Sequence, residues 1–337
     1  MIIDAHAHLI APASIYSRRY NSRTHWWPEG NKIPSPVDDE ALEASVMLNL
    51  EIMDSVGTDI QILSPRPFLM LNGEACWEEI NDWTTENNNL IARAMEMFPR
   101  RFRGIGCLPQ KVDYPVETVF DEIDRCINEL GFIGILLNPD TSEGMNSAPP
   151  LGDPYWYPLY EKLCAMDLPA HVHSGNCING RVDFDEHFIA EDTLAVSSIY
   201  KAGVFRRFPE LKLMISHGGG AIPYQIGRWR SHYQKYGKDR IYNGEGPTAF
   251  DGILKLFWFD TVLQSKESLE LLFRIVGSER CCFGTERPGN SGGVDPHTKR
   301  SCDDLKPVIE SIPWLTDEQR RGVFEENVRR LFTRLNL

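Results

Sequence analysis

The chain has 337 residues, 42% of them apolar and 25% charged, with a formal net charge of −13. Such a composition fits a globular protein, and no apolar run approaches the roughly 18 residues of a transmembrane helix. The acidity argues against nucleic acid or an anionic membrane as partner, and an anionic substrate would have to be met by locally concentrated positive charge.

In chain order, the first expected strand is "MIID" (1–4), preceded by nothing that resembles a secretory signal. It leads into "AHAHL", where His6 and His8 stand two residues apart. Side chains two apart on a strand share a face, so these imidazoles supply half of a metal site. Residues 10–56 are too long for a simple strand–helix loop. They contain Trp26 and Trp27 and end in a helical pattern near 40–56, and we read them as a lid or insertion over the site. Strand patterns follow at 58–64, 103–109, 132–138, 169–173, 211–217, 256–262 and 281–286.

Amphipathic segments lie between the strands. Val116, Val119, Phe120, Ile123, Cys126 and Ile127 recur at helical spacing. The segment 266–276 has Ser265 as N-cap and Gly277 as its stop, and Thr316 and Gln319 have capping-box spacing. Eight strands alternating with helices predict one α/β domain over 1–337, a (β/α)8 TIM barrel with an insertion after strand 1. An open doubly wound sheet is the competing fold, but no G-x-G-x-x-G follows the first strand. The eight cysteines form no C-x-x-C pair, and Cys281 and Cys282 are adjacent, which suits free thiols in a reducing cytoplasm.

Barrel enzymes work at the C-terminal ends of their strands. The polar residues expected there are His6 and His8, Arg66, Asn138, His171 and His173, His217 and Glu286. Five of the nine histidines fall in this set, which selects it over a random scatter. A catalytic zinc takes about three protein ligands and keeps a position open. His6, His8, His173 and Glu286 could meet as ligands, with His217 nearby as an acid–base group. His173 could instead be a core histidine bonded to backbone, and Glu286 a rim ion-pair partner of Arg287. His171 would lie behind the ligands or touch substrate. His25, His187, His232 and His297 read as surface or loop residues, although His187, in the loop after strand 5, could face the pocket. Arg66 and Arg228 are the arginines suited to clamp a carboxylate.

Two motifs mislead. "HGGG" (217–220) and "GNSGG" (289–293) imitate serine-hydrolase signatures. Pro288 and Pro296 flank Ser291, and only His297 follows closely, so the strand–nucleophile–helix context is missing. The glycines after His217 instead let backbone approach a ligand.

Together, "DAHAH", the fifth-strand histidine, "SHGGGAIPYQIGR" and "CFGTE" resemble the amidohydrolase superfamily. They resemble in particular its branch of aminocarboxymuconate semialdehyde decarboxylases, resorcylate decarboxylases and 4-oxalomesaconate hydratases. "SPRPFLMLN", "GFIGILLNPD", "APPLGDPYWYPLYEKLC" and "FDTVL" look most like the hydratases, as does Glu286 where the decarboxylases carry Asp. The resemblance runs from Ile2 to Phe332 and is weakest over 10–56. It implies one divalent metal, zinc with manganese or iron as alternatives, on His6, His8, His173 and Glu286. It implies His217 and Glu286 as catalytic groups, and a homodimer in which Arg228 reaches the neighbouring site. The implied activity is hydration of the C=C bond of an unsaturated keto-polycarboxylate in aromatic-acid catabolism. Arg66, Asn138, His171 and Arg228 would contact this small anionic substrate. Non-oxidative decarboxylation of an aromatic or muconate-type acid is the alternative. A metal-dependent hydrolase or dinuclear-metal oxygenase stands behind both. Arg287 and the 176–187 segment depart from the hydratase pattern.

Overall fold

A computed structural model describes residues 1–9, 37–237, 249–289 and 292–337. All eight expected strands are present: β1 Ile3–Leu9, β2 Ile60–Pro65, β3 Phe102–Cys107, β4 Gly134–Leu137, β5 Ala170–Val172, β6 Leu213–Ile215, β7 Trp258–Asp260 and β8 Cys281–Cys282. They pair in chain order, each parallel to the next. The last strand returns to the first. Ala5 N–H donates to the Phe283 carbonyl (2.8 Å) and Glu286 N–H to the His6 carbonyl (2.6 Å). This closure makes the sheet a (β/α)8 barrel and rules out the open alternative.

Strand limits differ from expectation in an informative way. β5, β6 and β8 stop short of the expected 173, 217 and 286, because their last residues leave the ladder to build the site. β1 instead continues beyond residue 4 through both histidines. Its register on β2 slips between Asp4 and Ala7, so three steps on β1 face two on β2. Such a bulge re-aims side chains beside an active site. Asp4 fixes it, accepting from His6 N–H (3.2 Å), Thr285 N–H (3.1 Å) and Thr285 Oγ1–H (2.6 Å).

The principal helices are α1 Asp39–Val56, α2 Trp77–Met97, α3 Phe120–Asn128, α4 Tyr157–Ala165, α5 Phe184–Ala202, α6 Ile226–His232 and α7 Lys266–Val276. Of the segment expected as an insertion, residues 10–36 lie outside the described residues. α1 connects β1 to β2 and buries Leu42, Val46, Leu50 and Met53 against the barrel. The pattern near 116 opens as a 3-10 turn, Val116–Val119, before α3. The Ser265 cap on α7 and the Thr316–Gln319 capping box both form. Among the described residues no helix is long and apolar enough to cross a membrane. All eight cysteines are unpaired.

Candidate metal centre and active site

At the mouth of the barrel, donor atoms of His6, His8, His173 and Glu286 lie within 4.8 Å of one another, all four residues buried. The imidazoles are oriented by what their Nδ1 atoms touch. His173 Nδ1 lies 2.7 Å from the Ser174 carbonyl, which only accepts, so Nδ1 carries the proton. His8 Nδ1 lies 2.9 Å from Ser64 Oγ, whose own proton goes to the Pro65 carbonyl (3.1 Å). His6 Nδ1 lies 2.6 Å from Asp260 Oδ2. Each ring therefore offers a bare Nε2 lone pair, and the buried Nε2 atoms of His6 and His173 have no hydrogen-bond partner. Stranding several acceptors out of water is costly unless a cation meets them. Burial pushes the His173 pKa down to about 4 and that of His8 well below the usual imidazole range. These two rings stay neutral at neutral pH, each with a lone pair a metal could use. The donor set fits a divalent metal held by three imidazoles and a carboxylate, with the outer partners that metal-binding histidines require.

Glu286 bridges two functions. Its Oε1 lies 3.7 Å from His173 Nε2, 4.0 Å from His8 Nε2 and 3.5 Å from His217 Nε2. Burial opposes its ionisation, but His217 beside it outweighs this and holds its pKa well below the carboxylate range. His217 differs from His6, His8 and His173. Its Nδ1 lies 2.8 Å from Asp192 Oδ2, and its ring stacks on Phe188 at 5.6 Å, with planes 6° apart. Burial would depress its pKa, but Asp192 and Glu286 outweigh burial and raise it well above the usual range. An imidazolium between two carboxylates is a proton donor. Both His217 and Glu286 have positive φ (49° and 61°), a conformation held by the loops rather than preferred by the residues. A narrow cavity lined by His8, Arg66, His173, Phe188 and Glu286 leads to this cluster.

The sequence profile of the amidohydrolase family matches residues 3–334. The chain belongs to this family. It is 34% identical over 340 residues to the 2-keto-4-carboxy-3-hexenedioate hydratase of Sphingobium sp. (strain NBRC 103272 / SYK-6), covering 100% of this chain and 97% of that protein. It is similar to the crystal structure of 4-oxalomesaconate hydratase from Rhodopseudomonas palustris, with a TM-score of 0.83 and 30% identity over 99% of this chain and 96% of that one. It is also 30% identical to the 2-amino-3-carboxymuconate-6-semialdehyde decarboxylase of Dictyostelium discoideum over 80% of this chain and 71% of that protein.

Other expected site residues of this amidohydrolase fall in different places. His171 is fully buried behind His6, with Nε2 2.8 Å from Ser216 Oγ. Asn138 is buried, its side chain held between its own loop and the loop after β2. Its Nδ2 donates to Asn72 Oδ1 (3.1 Å), and its Oδ1 accepts from Asp140 N–H (3.0 Å). Arg228 is exposed on α6. His187 is not a loop residue; it lies in the first turns of α5, facing Asp140. Ser291, of the hydrolase-like motif, lies outside the described residues. Arg287 turns away to pair with Asp303 (3.0 Å).

Sequence reasoning missed Asp260 and Asp192. Asp260 orients His6 through Oδ2, while its Oδ1 accepts from Gly218 and Val262 N–H, both at 3.1 Å. It thereby couples His6 to the turn after His217. Burial opposes its ionisation, but His171 and His6 overcome this and hold its pKa well below normal. Asp260 stands at the end of "LFWFD", where the strand-end rule would have found it. Asp192 lies mid-helix and had no such signal.

Proposed function

We propose that this amidohydrolase is a metal-dependent hydratase that adds water across the C=C bond of an unsaturated keto-polycarboxylate of aromatic-acid catabolism. The observation that carries this reading is Glu286, whose carboxylate reaches both the ligand imidazoles and the protonated His217. A hydratase needs that pairing: one group to take a proton from water and another to give one to carbon. His6, His8, His173 and Glu286 would hold the ion, for which we favour one zinc per chain. When bound, such an ion supplies Lewis acidity toward water and a conjugated carbonyl. Arg66 meets a substrate carboxylate at the cavity wall and orients the alkene. Glu286 accepts the proton of the attacking water as its oxygen bonds to the β-carbon. His217 delivers its Nε2 proton to the α-carbon, so one H and one OH are added. The similarity to the Sphingobium hydratase over its length supports this choice of reaction.

The test uses 2-keto-4-carboxy-3-hexenedioate as probe. In heavy water its ultraviolet absorbance should fall while the product gains one carbon-bound deuterium and no CO2 appears. Stoichiometric CO2 would instead identify a decarboxylase. Glu286→Gln should lower turnover by ~10²-fold or more, the usual worth of acid–base catalysis.

We place the protein in a reducing compartment, the cytoplasm, on the strength of its eight unpaired cysteines. We also propose a homodimer in which the exposed Arg228 serves the neighbouring site. Inactive Arg228→Ala and His217→Ala chains, co-assembled, should then regain part of the wild-type activity. Verified mixed dimers without activity would rule this out.

A further inference from the structure

Away from the catalytic mouth, the loop after β4 and the first turns of α5 bring Asp140, His187 and Glu191 together. We propose that these three side chains form a second divalent-cation site, distinct from the His6–His8–His173–Glu286 cluster. His187 is only 4% exposed, and its buried Nε2 has no hydrogen-bond partner. That nitrogen points at Asp140 Oδ2, 3.4 Å away. Donor atoms of all three residues lie within 4.8 Å of one another. An ion with bonds of about 2.0–2.2 Å spans such a set.

The donors are arranged in advance. Asp140 is fixed by its own loop, with Oδ1 accepting from Ser142 N–H (2.9 Å) and Oδ2 from Gly144 N–H (2.6 Å). The Ser142 hydroxyl also donates to Oδ1, so Oδ2 is the oxygen that keeps a lone pair for another partner. His187 and Glu191 are four residues apart on α5 and so share one helix face. Burial lowers the His187 pKa, leaving a neutral ring with its lone pair. Burial, with Asp140 and Asp192 adding to it, pushes Glu191 up to about 7. An arriving cation would reverse the Glu191 shift and release a proton. One nitrogen and two carboxylates suit zinc or manganese better than a soft or an all-oxygen ion. A cleft of about 170 Å³, lined by Asp140 and Glu191 with Pro150, Leu151 and Leu194, gives an entry path and room for water ligands. The ion would tie the β4 loop to the helix that carries Phe188 and Asp192, the two residues set against His217.

Metal binding itself is the test. Full-length protein stripped by chelator is titrated with Zn2+ by calorimetry, and its metal content after desalting is measured by mass spectrometry. Wild type should take two zinc ions per chain. His187→Gln and Glu191→Gln should each keep one and bind the other at least 10-fold more weakly, while His173→Ala should retain the second. Should His187→Gln fail to fold, Glu191→Gln, at a less buried position, decides alone. Saturation of wild type at one ion per chain overturns the proposal. So does a second ion retained with unchanged affinity in the folded variants.

Discussion

A buried imidazole is a ligand or an acid according to what its second nitrogen meets. His6, His8 and His173 each give the Nδ1 proton to an acceptor and keep Nε2 bare, whereas His217 has a carboxylate near both nitrogens. Asp192 is the positioning partner that separates His217 from the others. Asp192→Asn keeps an acceptor for Nδ1–H but removes the charge that favours imidazolium. The His217 pKa should fall, and because the proton-bearing form is the one that acts, the alkaline limb of kcat/KM should move to lower pH. Turnover at pH 8 should drop by ~10-fold or more, within the usual worth of a proton-transfer group, with catalytic-site metal content unchanged. A pH profile that does not move would remove His217 from the role of acid. The sequence made His217 legible because it follows an apolar strand in a barrel. Asp192 was not legible, since an aspartate mid-helix reads as a solvated face until α5 is packed on the His217–Gly219 turn after β6.

At the scale of elements, strand ends were the most readable feature. Short apolar, β-branched-rich runs between helical patterns located all eight strands, and polar residues at their ends include the His6–His8–His173–Glu286 cluster. Their limits were less readable, because the point at which a chain leaves the ladder depends on loop contacts such as Asp4 with Thr285, 281 residues apart. The turn after His217 shows how one loop joins two elements. Gly220 has φ +61° and ψ −127°, a region essentially reserved for glycine. A Cβ there would lie 2.5 Å from the Ile189 carbonyl oxygen and 2.5 Å from Thr193 Oγ1, both on α5. Gly220→Ala must therefore push α5 outward and move Asp192 and Phe188 with it. It should destabilise the fold by about 2 kcal/mol, the combined scale of backbone strain and overpacking, and lower kcat more than it changes KM. Urea denaturation and steady-state kinetics measure the two effects. Unchanged stability would show that α5 is not seated by this turn.

For the whole molecule, the candidate metal cluster comes from both ends of the chain and its middle: His6 and His8 on β1, His173 after β5, and Glu286 after β8. No short segment contains the site, so the unfolded chain cannot preorganise it. An ion that binds the closed barrel and not the open chain adds RT ln(1 + [L]/Kd) to stability, about 2.7 kcal/mol when free metal is 100 times Kd. It also fastens the seam where β8 meets β1 through the Ala5–Phe283 and Glu286–His6 backbone bonds. The Tm of chelator-treated protein should therefore rise by roughly 5 °C on adding zinc at that excess. His173→Ala should lose at least half of that rise, because it removes a ligand contributed by the wall opposite the seam. The rise should also shrink as pH falls toward about 4, where His173 protonates, since protons then compete for its lone pair. Differential scanning calorimetry of both proteins, with metal and with chelator, makes the comparison. Equal Tm values for wild type in the two conditions would mean that the ligand shell is held by the barrel alone and gains nothing from the ion.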